Sequence, residues 1–336
     1  MDFSVVIPAR NAEHTLGRCL EAVFTSSSAP SEVLVVDDGS ADRTAAIAET
    51  YGCRILKIFS ASGPMEPRFA GARAARFPLL VFVDADVVVR RDTFAKIVRR
   101  FSDPSLHALT GLLSDGNRSG SFFSDYKNHY MRHVFLGRPA ESSFLYGSLW
   151  AVRRGYMVYF RPITKPFGSL VSDSETGFRL CRRGKRILLD HTIEVDHLKH
   201  YTLGSLLKND FQIPFLFSLM FVRYGGFRRV LRGKAFSHAS LGQTAAVTCA
   251  FLALVSAVAA VIFSSFFFAW TALGLAVSFY AYWAGFFLRL RPRGFFFGIS
   301  AAAFKFLDAN VMFCGMVSGF VFSLSGLWDR RGPVFR

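Results

Sequence analysis

The chain has 336 residues, is 51% hydrophobic with 38 Phe, and carries a formal charge of +16 from 40 Lys and Arg against 24 Asp and Glu. That length admits a catalytic domain and more, while five scattered cysteines without a CxxC pair exclude a disulfide framework and a cysteine zinc site and suit a reducing compartment. The excess of basic charge admits nucleic acid, an anionic membrane surface or phosphorylated substrates. Basic clusters beside apolar segments (Arg223, Arg228, Arg229, Arg232, Lys234; then Arg289, Arg291, Arg293), with no zinc-finger or RNA-recognition signature, select the membrane face and exclude nucleic acid as a partner.

Phe3 to Ile7 is a short β-branched run closed by Pro8, which predicts a strand and then a loop. No basic n-region or long apolar h-region precedes it, so no signal peptide is expected and the N-terminal domain is placed in the cytosol. Ala12 to Phe24 has helical spacing, with Leu16, Leu20 and Val23 on one side. Glu32 to Val36 is a second strand, stopped by Asp37-Asp38-Gly39-Ser40. Thr44 to Tyr51 reads as a helix, Arg54 to Phe59 as a strand, Ala70 to Arg76 as a helix and Leu79 to Val83 as a fourth strand. Alternation at this spacing predicts an α/β domain, a mainly parallel Rossmann-like sheet with helices on both faces.

Ligands of such sheets bind beyond the carboxyl ends of the strands. Three polar clusters fall there: Pro8-Ala9-Arg10-Asn11, Asp37-Asp38-Gly39-Ser40 and Asp84-Ala85-Asp86. Each alone is also what an ordinary turn uses. Residues i and i+2 of a strand share a side, so an extended Asp84-Ala85-Asp86 aims two carboxylates together. Such a pair repels unless a proton or cation intervenes, and a hard dication takes carboxylate oxygens while leaving positions for phosphates. Two readings stand on spacing alone: a metal site for a diphosphate, or a solvated strand-end turn.

Taken together, Ser4-Val5-Val6-Ile7-Pro8-Ala9-Arg10-Asn11, Val33-Leu34-Val35-Val36-Asp37-Asp38-Gly39-Ser40-Ala41-Asp42-Arg43-Thr44 and Val83-Asp84-Ala85-Asp86 closely resemble glycosyltransferase family 2, in motif order and spacing, over residues 1–202. The resemblance implies the GT-A fold and an inverting transfer from a nucleotide-sugar, a UDP- or GDP-sugar, aided by Mg²⁺ or Mn²⁺. It places Pro8, Ala9, Arg10, Asn11, Asp37 and Asp38 at the nucleotide, Asp84 at the ribose and metal, and Asp86 on the metal. Gly63 to Gly71 matches the family's Gly-rich stretch, with Arg68 at the diphosphate and Phe69 where Asn is usual. Guanidinium suits phosphate oxygens. Ser172-Asp173-Ser174-Glu175-Thr176 matches the family's Glu-Asp and Glu-Leu segment imperfectly, yet Asp173 falls on the general base. As a residue, Asp173 reads either as that base or as the N-cap of the helix that follows.

Three further assignments follow. After a strand at Thr192 to Val195, His197 either completes the metal sphere or is a structural histidine. Gly147, Ser148 and Trp150 lie where the family builds its acceptor pocket, though Trp150 also fits a core position. His129 and His133 have helical metal-pair spacing but no third ligand, and are read as an exposed helix face.

The C-terminal third is different material. Residues 203–240 mix Phe, Leu and Met with Lys and Arg, as interfacial amphipathic helices do. Leu241 to Phe263 and Phe266 to Leu288 each suffice to cross a core of about 30 Å at about 1.5 Å per residue. Residues 295–328, interrupted by Lys305 and Asp308, read as an interfacial helix with a third span or as a re-entrant hairpin. The expectation is an integral enzyme of a bacterial cytoplasmic membrane with a cytosolic catalytic domain and a lipid or lipid-linked acceptor; the sequence leaves sugar, acceptor and oligomeric state open. Its rivals are a processive polysaccharide synthase, for which Asn209-Asp210-Phe211-Gln212-Ile213-Pro214-Phe215 replaces the expected Gln-x-x-Arg-Trp, and an inactive nucleotide-binding scaffold.

Overall fold

A computed structural model describes residues 1–59, 65–116, 120–158, 170–226 and 240–325. The chain forms two units, Met1–His200 and Tyr201–Arg336. Gly63 and Pro64 of the Gly-rich stretch, the basic run Arg228 to Lys234, and Trp328 to Arg331 lie outside the described residues.

The first unit is built on one mixed sheet. Strands β1 (Phe3–Ala9), β2 (Glu32–Asp38), β3 (Arg54–Ile58) and β4 (Leu79–Val83) run parallel in the order β3-β2-β1-β4. Helices α1 (Leu16–Phe24), α2 (Thr44–Thr50) and α3 (Met65–Ala74) connect them. β1 and β4 read as nearly unbroken apolar runs because both faces are buried, whereas the edge strand β3 is only partly covered. Val5, Ile7, Val33, Val35, Val81 and Val83 enter one core cluster, whereas Val6, Leu34, Val36, Leu80 and Phe82 enter the other. Helix α3 lies close on the sheet at Gly71, where a Cβ would stand 2.4 Å from Val6 Cγ1. Gly71 is therefore a packing residue, and α3 begins five residues before the predicted helix, with Arg68 in its first turn.

Beyond β4 the sheet changes character. After the short β5 (Val87–Val89) come α4 (Thr93–Arg100), β6 (Leu106–Leu113), α5 (Phe122–Leu136), β7 (Glu141–Ser142), β8 (Leu149–Arg153), α6 (Arg154–Val158), α7 (Ser172–Arg182) and β9 (Arg186–His197). β8 joins β4 to β6 and is antiparallel to both, β9 is parallel to β6, and β5 pairs antiparallel with the end of β9. The expected α/β sheet is present, parallel in its first half and mixed beyond. The neighbours of β1 are β2 and β4, so the chain switches direction about β1, and the crevice at the strands' carboxyl ends opens there.

The second unit is helical. α8 (Leu203–Arg223) starts with a Thr202–Ser205 capping box and contains Pro214. α9 (Leu241–Ile262), α10 (Phe266–Tyr282) and α11 (Ala284–Arg289) follow, then a 3₁₀ turn (Arg291–Arg293) and α12 (Phe295–Leu324). Two expectations are corrected. The predicted span 266–288 is interrupted at Trp283, leaving a 17-residue helix, and residues 295–324 form one 30-residue helix, neither an interfacial piece plus span nor a hairpin. Lys305 and Asp308 do not break that helix, because they bond each other at 3.0 Å in complete burial. Helix α12 meets α8 at Gly315 and Gly319, where added Cβ atoms would stand 2.2 Å from Phe211 O and 2.4 Å from Phe215 O. Small residues four apart permit that backbone approach. Among the described residues Leu241–Ile262 and Phe295–Leu324 are long and apolar enough to cross a bilayer.

Candidate active site

The loops after β1 and β2 are tied together before any ligand arrives. Asn11, at φ +49°, donates from its backbone N–H to Ser40 Oγ at 3.0 Å, and its side-chain Oδ1 accepts from Ala41 N–H at 2.9 Å. Ala12 N–H donates to Thr44 Oγ1 at 2.7 Å and Glu13 N–H to Asp42 Oδ2 at 3.0 Å. Asp37 accepts from Ser40 N–H at 3.0 Å, and Gly39 makes the turn with φ +67°. Pro8, Ala9, Asp37 and Asp38 are buried, while Arg10 and Asn11 are exposed. Asn11 thus pins one loop to the other with its own amide.

Asp84-Ala85-Asp86 is a turn. The strand ends at Val83, and Val87 N–H closes the turn onto Asp84 O at 3.0 Å. The expectation that extended backbone aims both carboxylates together is therefore corrected, and each takes its own partner. Asp84 bonds the guanidinium of Arg68 through Nη2. Asp86 Oδ1 lies 3.5 Å from His197 Nε2. The β5–β9 pairing causes this, since it sets His197 opposite Val87 and lets Leu198 N–H donate to Asp86 O at 2.7 Å. From below, Cys19 of α1 directs its thiol to Asp84 O at 3.6 Å.

Asp173 reaches the same place from α7. Val171 is the N-cap of that helix, so the capping alternative falls; Asp173 sits in the first turn. Helix α7 lies directly on the segment before β8, because a Cβ at Gly177 would stand 2.5 Å from Leu145 N. One turn earlier, Asp173 then faces Gly147. A Cβ built on Gly147 would lie 3.2 Å from Asp173 Oδ2, 3.3 Å from Arg68 Nη2 and 3.6 Å from Asp84 Oδ2. Arg68 Nη2 also donates to Gly147 O at 3.3 Å. A residue from α3, one from the turn after β4 and one from α7 thus converge on a glycine with no side chain to hold them apart.

Burial sets the electrostatics of this cluster. It pushes Asp173 up to about 6, against the lowering effect of Arg68. Burial also raises Asp84, with Arg68 opposing and Asp86 adding to the rise. Burial acts in the same direction on Asp86, but the charge and hydrogen bond of His197, with Lys199, outweigh it and hold that carboxyl below its usual range.

Two readings of the sequence are corrected. Trp150 is fully buried in β8 and stacks on Phe82 with ring centroids 4.1 Å apart, so it is a core residue and does not line an acceptor pocket. Gly147 and Ser148 precede the strand, which begins at Leu149; Ser148 is buried and accepts Asp84 N–H through its carbonyl at 3.3 Å. His129 is buried, with Nδ1 3.2 Å from Asp115 Oδ1, and is not on an exposed face. Cys19 and Gly177 went unnoticed in the sequence. A lone cysteine and a helical glycine carry no motif, and the only available signal was their helical register behind the motif residues.

Among the described residues no group of three or more His, Cys, Asp and Glu stands ready as a metal cage. The pair Asp86 and His197, with Asp84 alongside, still fits Mg²⁺ or Mn²⁺. Such hard ions are commonly held by one or two carboxylates, with substrate phosphates and waters completing the sphere.

Residues 4–164 match the family described as Glycosyl transferase family 2. A 4,4'-diaponeurosporenoate glycosyltransferase of Staphylococcus aureus (strain MRSA252) is 31% identical over 117 residues, 33% of this chain and 30% of the relative. The chain thus spans under a third of the length of the curated relatives it matches. Among solved structures, mannosyltransferase PcManGT from Pyrobaculum calidifontis, in complex with GDP-Man and Mn²⁺, superposes with a TM-score of 0.55 at 16% identity, covering 98% of this chain and 88% of that one. That likeness establishes a shared GT-A fold.

Proposed function

With residues 4–164 a family 2 glycosyltransferase domain, we propose that this protein is a membrane-anchored, inverting enzyme that moves a sugar from a UDP- or GDP-sugar onto a lipid or lipid-linked acceptor. The observation that carries the reading is the convergence of Asp173, Arg68 and Asp84 on Gly147. Asp173 acts as the general base. At about 6 its carboxyl is more basic than an ordinary aspartate yet mostly ionised at neutral pH, which suits it to take a proton from an acceptor hydroxyl or acid. A single in-line attack then inverts the anomeric carbon.

The pinned loops after β1 and β2 receive the nucleotide, with Asp37 and Asp38 beneath it. Asp86 and His197, with Asp84, would hold Mg²⁺ or Mn²⁺, which supplies neutralisation of charge on the departing nucleoside diphosphate. Arg68 adds a second, permanent positive charge beside the same group. Support for a lipid acceptor comes from the two bilayer-length helices and from the relative named for 4,4'-diaponeurosporenoate. The cluster Arg289, Arg291 and Arg293 between apolar helices supports a cytosolic catalytic unit at a bacterial cytoplasmic membrane.

The test is a screen of UDP- and GDP-sugars against native lipid extract, using the full chain in detergent or nanodiscs, with mass spectrometry of the lipids. A lipid gaining one sugar, dependent on added metal and absent with Asp86→Ala, is the expected result. Full activity in Asp86→Ala would remove the metal role, and no transfer from any donor would remove the reading.

A further inference from the structure

Arg68 is an unusual residue to find at a cation site. It is only 3% exposed, and its Nη2 is taken up by the Asp84 carboxylate and Gly147 O. Its Nη1 lies 3.8 Å from Met65 Sδ, a weak acceptor, and its Nε is buried with no hydrogen-bond partner among the described residues. Asp84 is one of the carboxylates read as metal ligands. In this structure that carboxylate is already neutralised by a fixed guanidinium. A dication entering alone would have to displace Arg68 or sit beside a like charge.

A diphosphate reverses the balance. Its oxygens accept from the Nε–Nη2 edge of a guanidinium, the fork geometry in which arginine binds phosphate in parallel bonds. Nε is the half of that fork that stands idle. Resting on the metal reading above, we infer that Arg68 makes metal binding conditional on the donor. It occupies Asp84 while the site is empty and releases that carboxylate when a diphosphate offers its own oxygens. Metal and nucleotide then bind with positive coupling, each raising the affinity of the other by the same factor.

The experiment is a Mn²⁺ titration of the full chain in detergent, read from the electron paramagnetic resonance signal of free Mn²⁺. It is run without nucleotide and with UDP or GDP, and corrected for metal held by free nucleotide. In wild type, the better nucleotide should tighten Mn²⁺ binding about tenfold or more. Arg68→Gln should bind Mn²⁺ alone about tenfold tighter than wild type, with the nucleotide adding less than about threefold. Arg68→Lys keeps the charge but lacks the fork, and should retain only part of the coupling. A residue serving only to brace the fold would not strengthen metal binding when removed.

Arg68→Gln that binds Mn²⁺ alone no tighter than wild type, while Asp86→Asn abolishes binding, overturns the inference and leaves the metal reading standing. Mn²⁺ binding that ignores Asp86→Asn overturns both. Should Arg68→Gln fail to fold by circular dichroism, wild-type coupling below about twofold overturns the inference by itself.

Discussion

The two units bury charge in opposite ways. Inside Tyr201–Arg336, Lys305 and Asp308 stand one turn apart on a single helix, bonded at 3.0 Å, with the ammonium 4.5 Å from the Trp283 ring centroid. The helix itself brings that pair together. Inside Met1–His200, Arg68, Asp84 and Asp173 come from α3, a strand-end turn and α7, and two carboxylates press on one guanidinium. The first arrangement is local, a cation and an anion one turn apart on one helix. The second is overloaded with negative charge and exists only because the whole fold assembles it. Unbalanced buried charge costs stability, and such cost marks sites whose chemistry needs it.

The largest expected effect separates these two roles at Asp173. Asp173→Asn should lower transfer by about 10³-fold, the scale of losing a general base, while raising stability. The sign follows from the raised acid: the folded protein favours protonated Asp173 up to about 6, so its ionisation above that pH costs folding energy, at most about 3 kcal/mol. The gain in Asn should therefore appear in melting at pH 7 and shrink toward zero as pH falls toward about 4. Wild-type kcat/KM should fall about tenfold per pH unit below about 6, because only the ionised form accepts a proton. An Asn variant that is both inactive and less stable at pH 7 would break the comparison.

Lys305→Met tests the other side. Removing one partner of a buried pair leaves an uncompensated charge, and about 3 kcal/mol of stability should be lost. Lys305→Met with Asp308→Leu should recover most of it, since a similar apolar volume replaces both charges. Thermal unfolding in detergent reads this directly. A double variant no better than the single would mean that the pair supplies more than balance.

These two clusters also show what could be read from sequence. The two loops at the sheet edge were legible because their residues are consecutive: a strand, then Pro8 to Asn11; a strand, then Asp37 to Ser40. Local rules place such loops at one sheet edge. The interior of α12 was not legible, because hydropathy counts Lys305 and Asp308 as breaks and cannot see that one neutralises the other. Trp150 was misplaced because nothing beside Gly147 and Ser148 marks that a core strand begins at Leu149 and lays the indole on Phe82. The Asp84-Ala85-Asp86 geometry was misjudged because nothing in the apolar run Val81 to Val89 marks where the strand stops. The meeting of Asp173 with Gly147 depends on Gly177 letting α7 lie on the backbone of Phe144 and Leu145, a contact between segments that no spacing rule connects.

Gly147→Ala probes that meeting with one methyl group. The new Cβ would stand 3.2 Å from Asp173 Oδ2 and 3.3 Å from Arg68 Nη2, tighter than ordinary contact but not prohibitive. The chain should fold. The base should move by a fraction of an ångström, and kcat should drop about 10²-fold, as small displacements at reacting centres do. Donor affinity should change much less, since the loops proposed to hold the nucleotide follow β1 and β2. A loss confined to donor KM would show that Gly147 serves the donor and not the acceptor.

The smallest effect belongs to Asn11, where the pinned loops can be weakened without touching the charged cluster. Asn11 holds a positive φ of 49° and spends its Oδ1 on Ala41 N–H. Asn11→Gly keeps the backbone conformation at no steric cost and deletes only the side-chain bond. Asn11→Ala deletes the same bond and adds the strain of a left-handed alanine, about 1 kcal/mol. Both should raise donor KM with kcat little changed, Gly by about fivefold for one lost hydrogen bond of about 1 kcal/mol and Ala by several-fold more. The difference between the two variants isolates the backbone term. Were Asn11 instead a direct contact to the nucleotide base with no role in holding the loops, the two variants would lose affinity equally. Loop pinning and base contact are thereby separated by one methyl group.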